Sequence, residues 1–149
     1  MKYTIINHAE GESELILKYS KMTPEVERIL QFLGRQQQKL VGSKGKQQIV
    51  LEPGEILYME SVDGKTFAYT QGDVLRLDQT LGQLEEILSN INFFRCSKSM
   101  ILNIDKVTKL KSLPSNRIDA TMAGGEHIVI SRTYASDFRK RLRGGRNHE

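Results

Sequence analysis

The sequence is poor in the residues that build disulfides and metal sites. Its single cysteine, Cys96, excludes an intramolecular disulfide and a cysteine-cluster metal centre. The three histidines, His8, His127 and His148, are scattered and lack the spacing of metal ligands. Cys96 falls within a strand-like alternation, so we expect it to be buried and structural; a redox-active thiol is the alternative. No cofactor is expected.

The sequence also lacks long apolar runs and a targeting signal. No run approaches the roughly 18 apolar residues that cross a bilayer. Residues 1–6 have no signal-peptide core and reach a charged residue at once. With 38% hydrophobic and 27% charged residues over 149 positions, the chain has the composition of one globular domain with a modest extension. We therefore expect a cytoplasmic protein.

A catalytic constellation is missing as well. Gly124-Gly125 is typical of a hairpin turn, because no Gly-Lys-Ser/Thr follows it as in a phosphate-binding loop. Glu55, Glu60 and Asp63 are close in sequence, but strand alternation gives no reason to pair them as acid and base. No nucleophile stands beside a base. We expect no enzymatic activity and no small-molecule substrate.

Basic residues, by contrast, are concentrated at the C-terminal end. The formal net charge is +4, and residues 132–149 carry six basic and two acidic residues. The six basic residues are Arg132, Arg139, Lys140, Arg141, Arg143 and Arg146. Such a basic end suits a polyanion, for example a nucleic acid, and a solvated helix face is the alternative.

Residues 1–38 are predicted to form a strand–helix extension. Strands are expected at 2–7 and 14–19 because these segments contain good strand formers on either side of a polar turn. A helix is expected to begin at Thr23-Pro24-Glu25, which combines a capping hydroxyl, a proline and an acid. Its apolar stripe is Val26, Ile29, Leu30 and Leu33. The extension could dimerise the protein or dock a partner.

From residue 39 the apolar period becomes that of strands, separated by turn residues, and Asp63-Gly64 is a strong hairpin signal. Thr80 and Gln83 form a capping box for one interior helix, and a last helix carries Tyr134, Phe138 and Leu142. The predicted strands lie at 40–41, 48–51, 56–60, 66–69, 74–77, 107–110, 117–122 and 127–130. We predict a mainly β fold with α (α+β) over residues 39–143, and a flexible tail at 144–149.

The stretch from Asn92 to Asn103 is the most informative in the chain. It has the pattern of two short strands with Ser97-Lys98-Ser99 at the bend between them. Two hydroxyls and an ammonium suit a phosphate or a base edge, although hydroxyls at bends also satisfy local backbone groups. Arg95 lies opposite Phe94 on strand alternation, so it could reach a phosphate or close an internal ion pair.

This stretch resembles the signature of LytTR-type DNA-binding domains, which are strand-rich modules of bacterial transcription regulators. Four other landmarks match the family in order: the strand and turn at 56–65, the helix at 81–88, the turn at 104–107, and the hairpin and helix start at 124–132. The resemblance implies an elongated multi-strand fold with one mid-domain helix and a C-terminal helix. Residues 1–38 lie outside it, as in stand-alone regulators without a receiver domain.

The resemblance also implies which residues contact DNA. The family's contact positions fall at Lys65 in the hairpin turn, Lys98 in the signature bend and Arg132 at the last strand–helix junction. Arg95, Ser97 and Ser99 complete the candidate set. The family often has an amide or imidazole at the positions of Lys65 and Lys98, and lysine there favours phosphate or guanine over adenine. Arg132 could alternatively pair with Asp137.

The implied function is a sequence-specific, double-stranded DNA-binding transcription regulator that reads direct repeats through loops in the major groove. It would bind at least as a homodimer on DNA, and a small inhibitory membrane protein is a further partner implied by the resemblance. The alternative is a protein-interaction module whose residues 1–38 dock a membrane or cytosolic partner. RNA binding would require exposed aromatic side chains on adjacent strands, and these aromatics are expected to be buried.

Overall fold

The computed structural model describes residues 1–35, 39–89 and 91–144. These residues form two antiparallel sheets and three α-helices, which confirms the predicted mainly β fold with α. The larger sheet has the order β2-β1-β5-β4-β3-β7-β6, and the smaller one has the order β10-β9-β8. The strands are β1 Leu40–Lys44, β2 Gln47–Leu51, β3 Tyr58–Val62, β4 Lys65–Tyr69, β5 Val74–Leu77, β6 Phe93–Ser97, β7 Met100–Asn103, β8 Val107–Leu113, β9 Arg117–Met122 and β10 His127–Ile130. The helices are α1 Pro24–Arg35, α2 Leu81–Ile87 and α3 Arg132–Gly144.

The first core lies between α2 and one face of the larger sheet. The predicted capping box starts α2: Gln83 N donates to Thr80 Oγ1 at 3.2 Å, and Thr80 N donates to Gln83 Oε1 at 2.9 Å. The helix then buries Leu81 and Leu84 against the sheet. The sheet side of this core includes Leu40, Leu51, Met59, Leu75, Leu77, Phe93 and Ile101.

The second core joins the larger sheet to the smaller sheet and α3. Strands β6 and β7 contribute to both cores, because successive strand residues face opposite sides. Phe93 and Ile101 belong to the first core, whereas Cys96 and Leu102 belong to the second. The smaller sheet and α3 supply Ile118, Ala120, Met122, Ile128, Ile130, Ala135 and Phe138 to the second core. The signature strands are therefore covered on both faces.

Asn103 closes the signature as a buried polar residue. Its Nδ2 donates to Ile56 O at 2.8 Å, and its Oδ1 accepts from Asp105 N at 3.1 Å. Its side chain thus satisfies the backbone before β3 and the turn after β7 at once. An unpaired buried polar group is costly, so this position requires a side-chain amide or an equivalent.

The predicted strands at 2–7 and 14–19 are not present, and this part of the prediction is wrong. Neither segment joins a sheet, and their apolar side chains are exposed, with Ile5 at 86% and Leu15 at 69%. Strand-forming residues alone do not stabilise a two-stranded hairpin that has no core to cover. The predicted helix does form, and Val26 N donates to Thr23 Oγ1 at 3.2 Å at its start.

The ends of the predicted units are described only in part. Residues 36–38, at the predicted boundary of the extension, lie outside the described residues. The predicted flexible tail at 144–149 does so too, apart from Gly144, which ends α3. Across the described chain, no helix combines the length and the apolar character needed to span a bilayer.

Replacing Asn103 with alanine tests whether its amide stabilises the fold by bonding to these two backbone groups. The variant leaves Ile56 O and Asp105 N without their partner, so unfolding should become easier by about 1–3 kcal/mol. Urea denaturation measures this as a lower midpoint with an unchanged slope. The matched control is Gln47→Ala, which removes an exposed amide at the start of β2 and should leave the midpoint in place. Equal midpoints for the two variants would contradict the role given to Asn103.

Candidate functional site

The signature bend is shaped by an irregularity in β6. Arg95 pairs with Ile101 and Ser97 pairs with Met100, so Cys96 is the extra residue of a β-bulge. After the bulge, Ser97 Oγ accepts from Ser99 N at 3.3 Å, and Ser99 O accepts from Ser61 N at 2.8 Å. The first hydrogen bond therefore lies within the bend, and the second attaches the bend to the end of β3. Lys98 and Ser99 are exposed, whereas Ser97 is half-buried.

Arg95 is engaged inside the protein. Its Nε donates to Ser97 O at 2.8 Å, and its two terminal nitrogens donate to Lys98 O and to Glu85 Oε1 on α2. The sequence left a phosphate contact and an internal ion pair open, and the structure shows the ion pair. Only 21% of the Arg95 side chain is exposed.

Lys65 follows the tight turn between β3 and β4. The backbone φ of Asp63 is 52° and that of Gly64 is 76°, as in the type I′ turn that an Asp-Gly pair favours. Val62 and Lys65 form the last pair of the hairpin. Lys65 is exposed there, at the same end of β3 where Ser61 bonds to the signature bend.

Arg132 opens α3 directly after β10. Ser131 O accepts from Tyr134 N at 3.0 Å and from Ala135 N at 2.9 Å, which starts the helix. Ser131 N donates to Cys96 O at 3.0 Å, so the strand–helix junction is attached to the bulge of β6. Arg132 is exposed next to this attachment.

Three connections thus converge at one end of the sheets. We call this region the loop edge, and it comprises the turn 63–65, the bend 97–99 and the junction 131–132. Within the described residues, Lys65, Lys98 and Arg132 form no side-chain hydrogen bond or ion pair, and the open alternative of an Arg132–Asp137 pair is not realised. The loop edge therefore presents three uncommitted cations.

A further cation borders the loop edge and was missed in the sequence. Ile118 pairs with Ile130, so the register places Arg117 opposite Ser131, beside Arg132. Arg117 Nε donates to Pro114 O at 3.2 Å, and the neighbouring Ser115 and Asn116 have positive φ values of 64° and 56°. Only the strand register reveals this neighbour, since 14 positions separate it from Ser131 in the sequence.

Two arginines of the basic C-terminal end hold α3 in place. Arg141 donates to Phe93 O at 3.1 Å and to Ile91 O at 3.2 Å, and Arg139 donates to Asn116 Oδ1 at 2.6 Å. The guanidinium groups of Arg139 and Arg141 therefore bond to the protein itself, whereas the charge pattern of the sequence favoured a polyanion or solvent as their partner. The basic end is thus partly structural, which an excess of charge along the sequence does not reveal.

The aromatic and thiol groups of the signature are packed. Phe93 is 7% exposed, and Phe94 meets Phe138 edge-on with ring centroids 5.2 Å apart. Cys96 is fully buried, and burial raises the pKa of its thiol to about 12. Phe93 therefore stabilises the first core, whereas Phe94 and Cys96 stabilise the second. A buried neutral thiol is a poor nucleophile.

Comparison with known families identifies the fold as a DNA-binding domain. The family model described as LytTr DNA-binding domain matches residues 46–143, and the chain belongs to this family. The predicted family and the predicted class, a DNA-binding transcription regulator, are confirmed.

A solved structure has the same fold. It is the LytTr DNA-binding domain of a Bacillus cereus protein, with a TM-score of 0.67 and 25% identity. The similarity covers 70% of this chain and 95% of that domain. The predicted LytTR-like architecture of strands with a mid-domain and a C-terminal helix is thereby confirmed.

The curated relatives are of two lengths. The sensory transduction protein LytT of Bacillus cereus is 33% identical over 89 residues, and that of Bacillus subtilis is 25% identical over 133 residues. This chain spans 36% and 55% of those two proteins, respectively. An uncharacterized HTH-type transcriptional regulator of Staphylococcus aureus is 26% identical over 139 residues, which cover 92% of this chain and 94% of that protein.

Thiol labelling tests the buried state of Cys96. A disulfide reagent at mildly alkaline pH should react slowly with the folded protein, because the raised pKa keeps the thiol protonated and packing blocks access. The same reagent should react at once in guanidinium, which serves as the control. Rapid labelling of the folded protein would instead favour the redox alternative.

Proposed function

We propose that this regulator binds double-stranded promoter DNA sequence-specifically, with the loop edge in successive major grooves. The observation that carries the proposal is the convergence of Lys65, Lys98 and Arg132 at one end of the sheets, each exposed and without a side-chain partner among the described residues. Free cations at element ends are available to phosphates and base edges without disturbing the core. The protein would act in the cytoplasm, where bacterial promoters are.

The three cations have different chemistry. Arg132 presents a planar fork that can bind the O6 and N7 atoms of a guanine together. Lys65 and Lys98 are point charges, which suit a phosphate or a single guanine acceptor. Ser99 is exposed and can donate its hydroxyl to a phosphate, and Ser97 can still donate while its oxygen accepts from Ser99 N.

The small size of one domain favours binding by more than one copy. A single loop edge carries few base contacts, so specificity in a genome requires more than one copy on adjacent sites. We propose that two copies bind direct repeats as a homodimer on DNA. The three exposed turns of one edge would follow the same face of the duplex from one groove to the next.

A second candidate function is protein interaction through residues 1–35. It is favoured by the exposed apolar side chains of this segment, among them Tyr3 at 84%, Ile5 at 86%, Ile16 at 66% and Phe32 at 53%. Apolar surface of this kind is typical of a docking site. A second copy of the chain and a small inhibitory membrane protein are the partners that we propose for it.

Alanine substitutions at the loop edge test DNA reading. Lys98→Ala and Arg132→Ala should each weaken binding to the native duplex by about 1–3 kcal/mol where the side chain reads a base. Where the side chain contacts a phosphate instead, the substitution, Lys65→Ala included, should weaken binding to all duplexes and lower the salt slope by about 0.9. Fluorescence anisotropy at several salt concentrations measures both quantities, with DNA from upstream of the gene and a scrambled duplex.

The matched control for these variants is Lys46→Ala. Lys46 is exposed in the β1–β2 turn, near the Lys44–Asp73 ion pair and hence at the end of the sheet away from the loop edge. Lys46→Ala changes the net charge by the same amount as each single loop-edge variant, and it should leave the preference for the native duplex intact. Unchanged affinity in the triple variant of Lys65, Lys98 and Arg132 would sink the proposed function.

Polar substitutions in the extension test protein interaction. The triple variant Ile5→Ser, Ile16→Ser and Phe32→Ser removes only exposed apolar groups, so the DNA-binding domain should stay folded. We expect unchanged affinity for a duplex with one repeat and weaker assembly on a duplex with two. Sedimentation velocity of both complexes measures the difference. Assembly equal to that of the unaltered protein would exclude the extension as the dimer contact.

A further inference from the structure

The ion pair between Arg95 and Glu85 connects the interior helix to the signature bend. Glu85 lies on α2, and Arg95 lies on β6, one residue before the bulge. The carboxylate of Glu85 holds one terminal nitrogen of the guanidinium. The other terminal nitrogen and Nε donate to the carbonyls of Lys98 and Ser97.

These two carbonyls belong to the bend itself. A bulge and a two-residue turn leave carbonyls without ladder partners, so the bend has few backbone bonds of its own. Besides the Ser97–Met100 strand pair, Ser99 N donates to Ser97 Oγ, and Ser99 O accepts from Ser61 N. Arg95 therefore sets the direction in which the Ser97–Lys98 backbone turns.

Rigid geometry makes arginine suited to this task. Its planar guanidinium presents donors at fixed angles, so it can hold two carbonyls and one carboxylate together, which the single ammonium of lysine cannot do. With 21% of the side chain exposed and donors directed at three protein acceptors, little of Arg95 is available to a phosphate. Glu85 is 46% exposed, so the ion pair by itself adds little to global stability.

We propose that Arg95 and Glu85 are positioning residues that hold the signature bend, and with it Lys98, in the DNA-reading geometry. This inference rests on the proposed function, because it concerns the same edge. It assigns a role in DNA recognition to an acidic residue, which by charge alone would repel the duplex. Organising a contact before binding removes the entropic cost of ordering it during binding.

Glu85 has two expected effects of opposite sign on DNA affinity: its charge repels the duplex, and its ion pair holds the bend. Replacing it can therefore tell the two apart. In Glu85→Gln the loss of a negative charge favours binding to any duplex, whereas the loss of the ion pair loosens the bend. We expect affinity for the native duplex to fall about three- to tenfold relative to the scrambled duplex. The matched control is Glu86→Gln, which makes the same charge change on the same helix at an exposed residue whose side chain has no partner in the described part of the chain.

Substitutions of Arg95 separate positioning from direct contact. If Arg95 positions the bend, Arg95→Lys should lose native-duplex affinity nearly as strongly as Arg95→Gln, and both should keep the salt slope of the unaltered protein. If it contacts a phosphate, Arg95→Lys should retain affinity and Arg95→Gln should lower the slope by about 0.9. Thermal unfolding of each variant identifies any loss that comes from unfolding.

The outcomes distinguish this inference from the proposed function. If Lys98→Ala weakens native binding while Glu85→Gln behaves like Glu86→Gln, the loop edge reads DNA without this ion pair, and the positioning role is overturned. If Lys98→Ala has no effect, the proposed function itself fails at this bend. A fall in specificity confined to Glu85→Gln and the Arg95 variants, at an unchanged salt slope, supports the positioning role.

Discussion

The backbone hydrogen bond from Ser131 to Cys96 is the contact on which the geometry of the loop edge depends. It joins the smaller sheet to the larger one at the bulge of β6, where the bend begins and where α3 starts on the other side. A regular strand at this point would give the Cys96 carbonyl to its own ladder. The bulge turns that carbonyl toward Ser131, and the 3.0 Å bond fixes Arg132 beside the signature bend.

Arginines have two separate tasks in this structure. Arg95, Arg139 and Arg141 direct their guanidinium groups at carbonyls or side chains of their own chain, whereas Arg132 bonds to no side chain or carbonyl of the residues that the structure describes. The first group stiffens the support, and the second remains available for a ligand.

Local patterns in the sequence predicted most of the domain. Asp63-Gly64 and the Thr80–Gln83 box gave correct elements because turn type and helix capping depend on a few adjacent residues. The prediction of strands at 2–7 and 14–19 was wrong because strand formation requires a partner and a core, which adjacent residues do not encode. The resemblance predicted Lys65, Lys98 and Arg132 as DNA contacts, which stays a prediction, and it did not predict the residues that support them. Glu85 reaches Arg95 across 10 positions, and Arg141 reaches Phe93 across 48, without any local pattern.

The division of the signature strands between two cores has a consequence for synthesis of the chain. The first core uses residues between Leu40 and Ile101, whereas the second is incomplete until Phe138. A chain that grows from its N-terminus can thus bury one side of β6 and β7 while Leu102 and Cys96 still face water on the other. Until α3 leaves the ribosome, this apolar side of the two signature strands stays exposed to water, and it is then open to aggregation or to a chaperone.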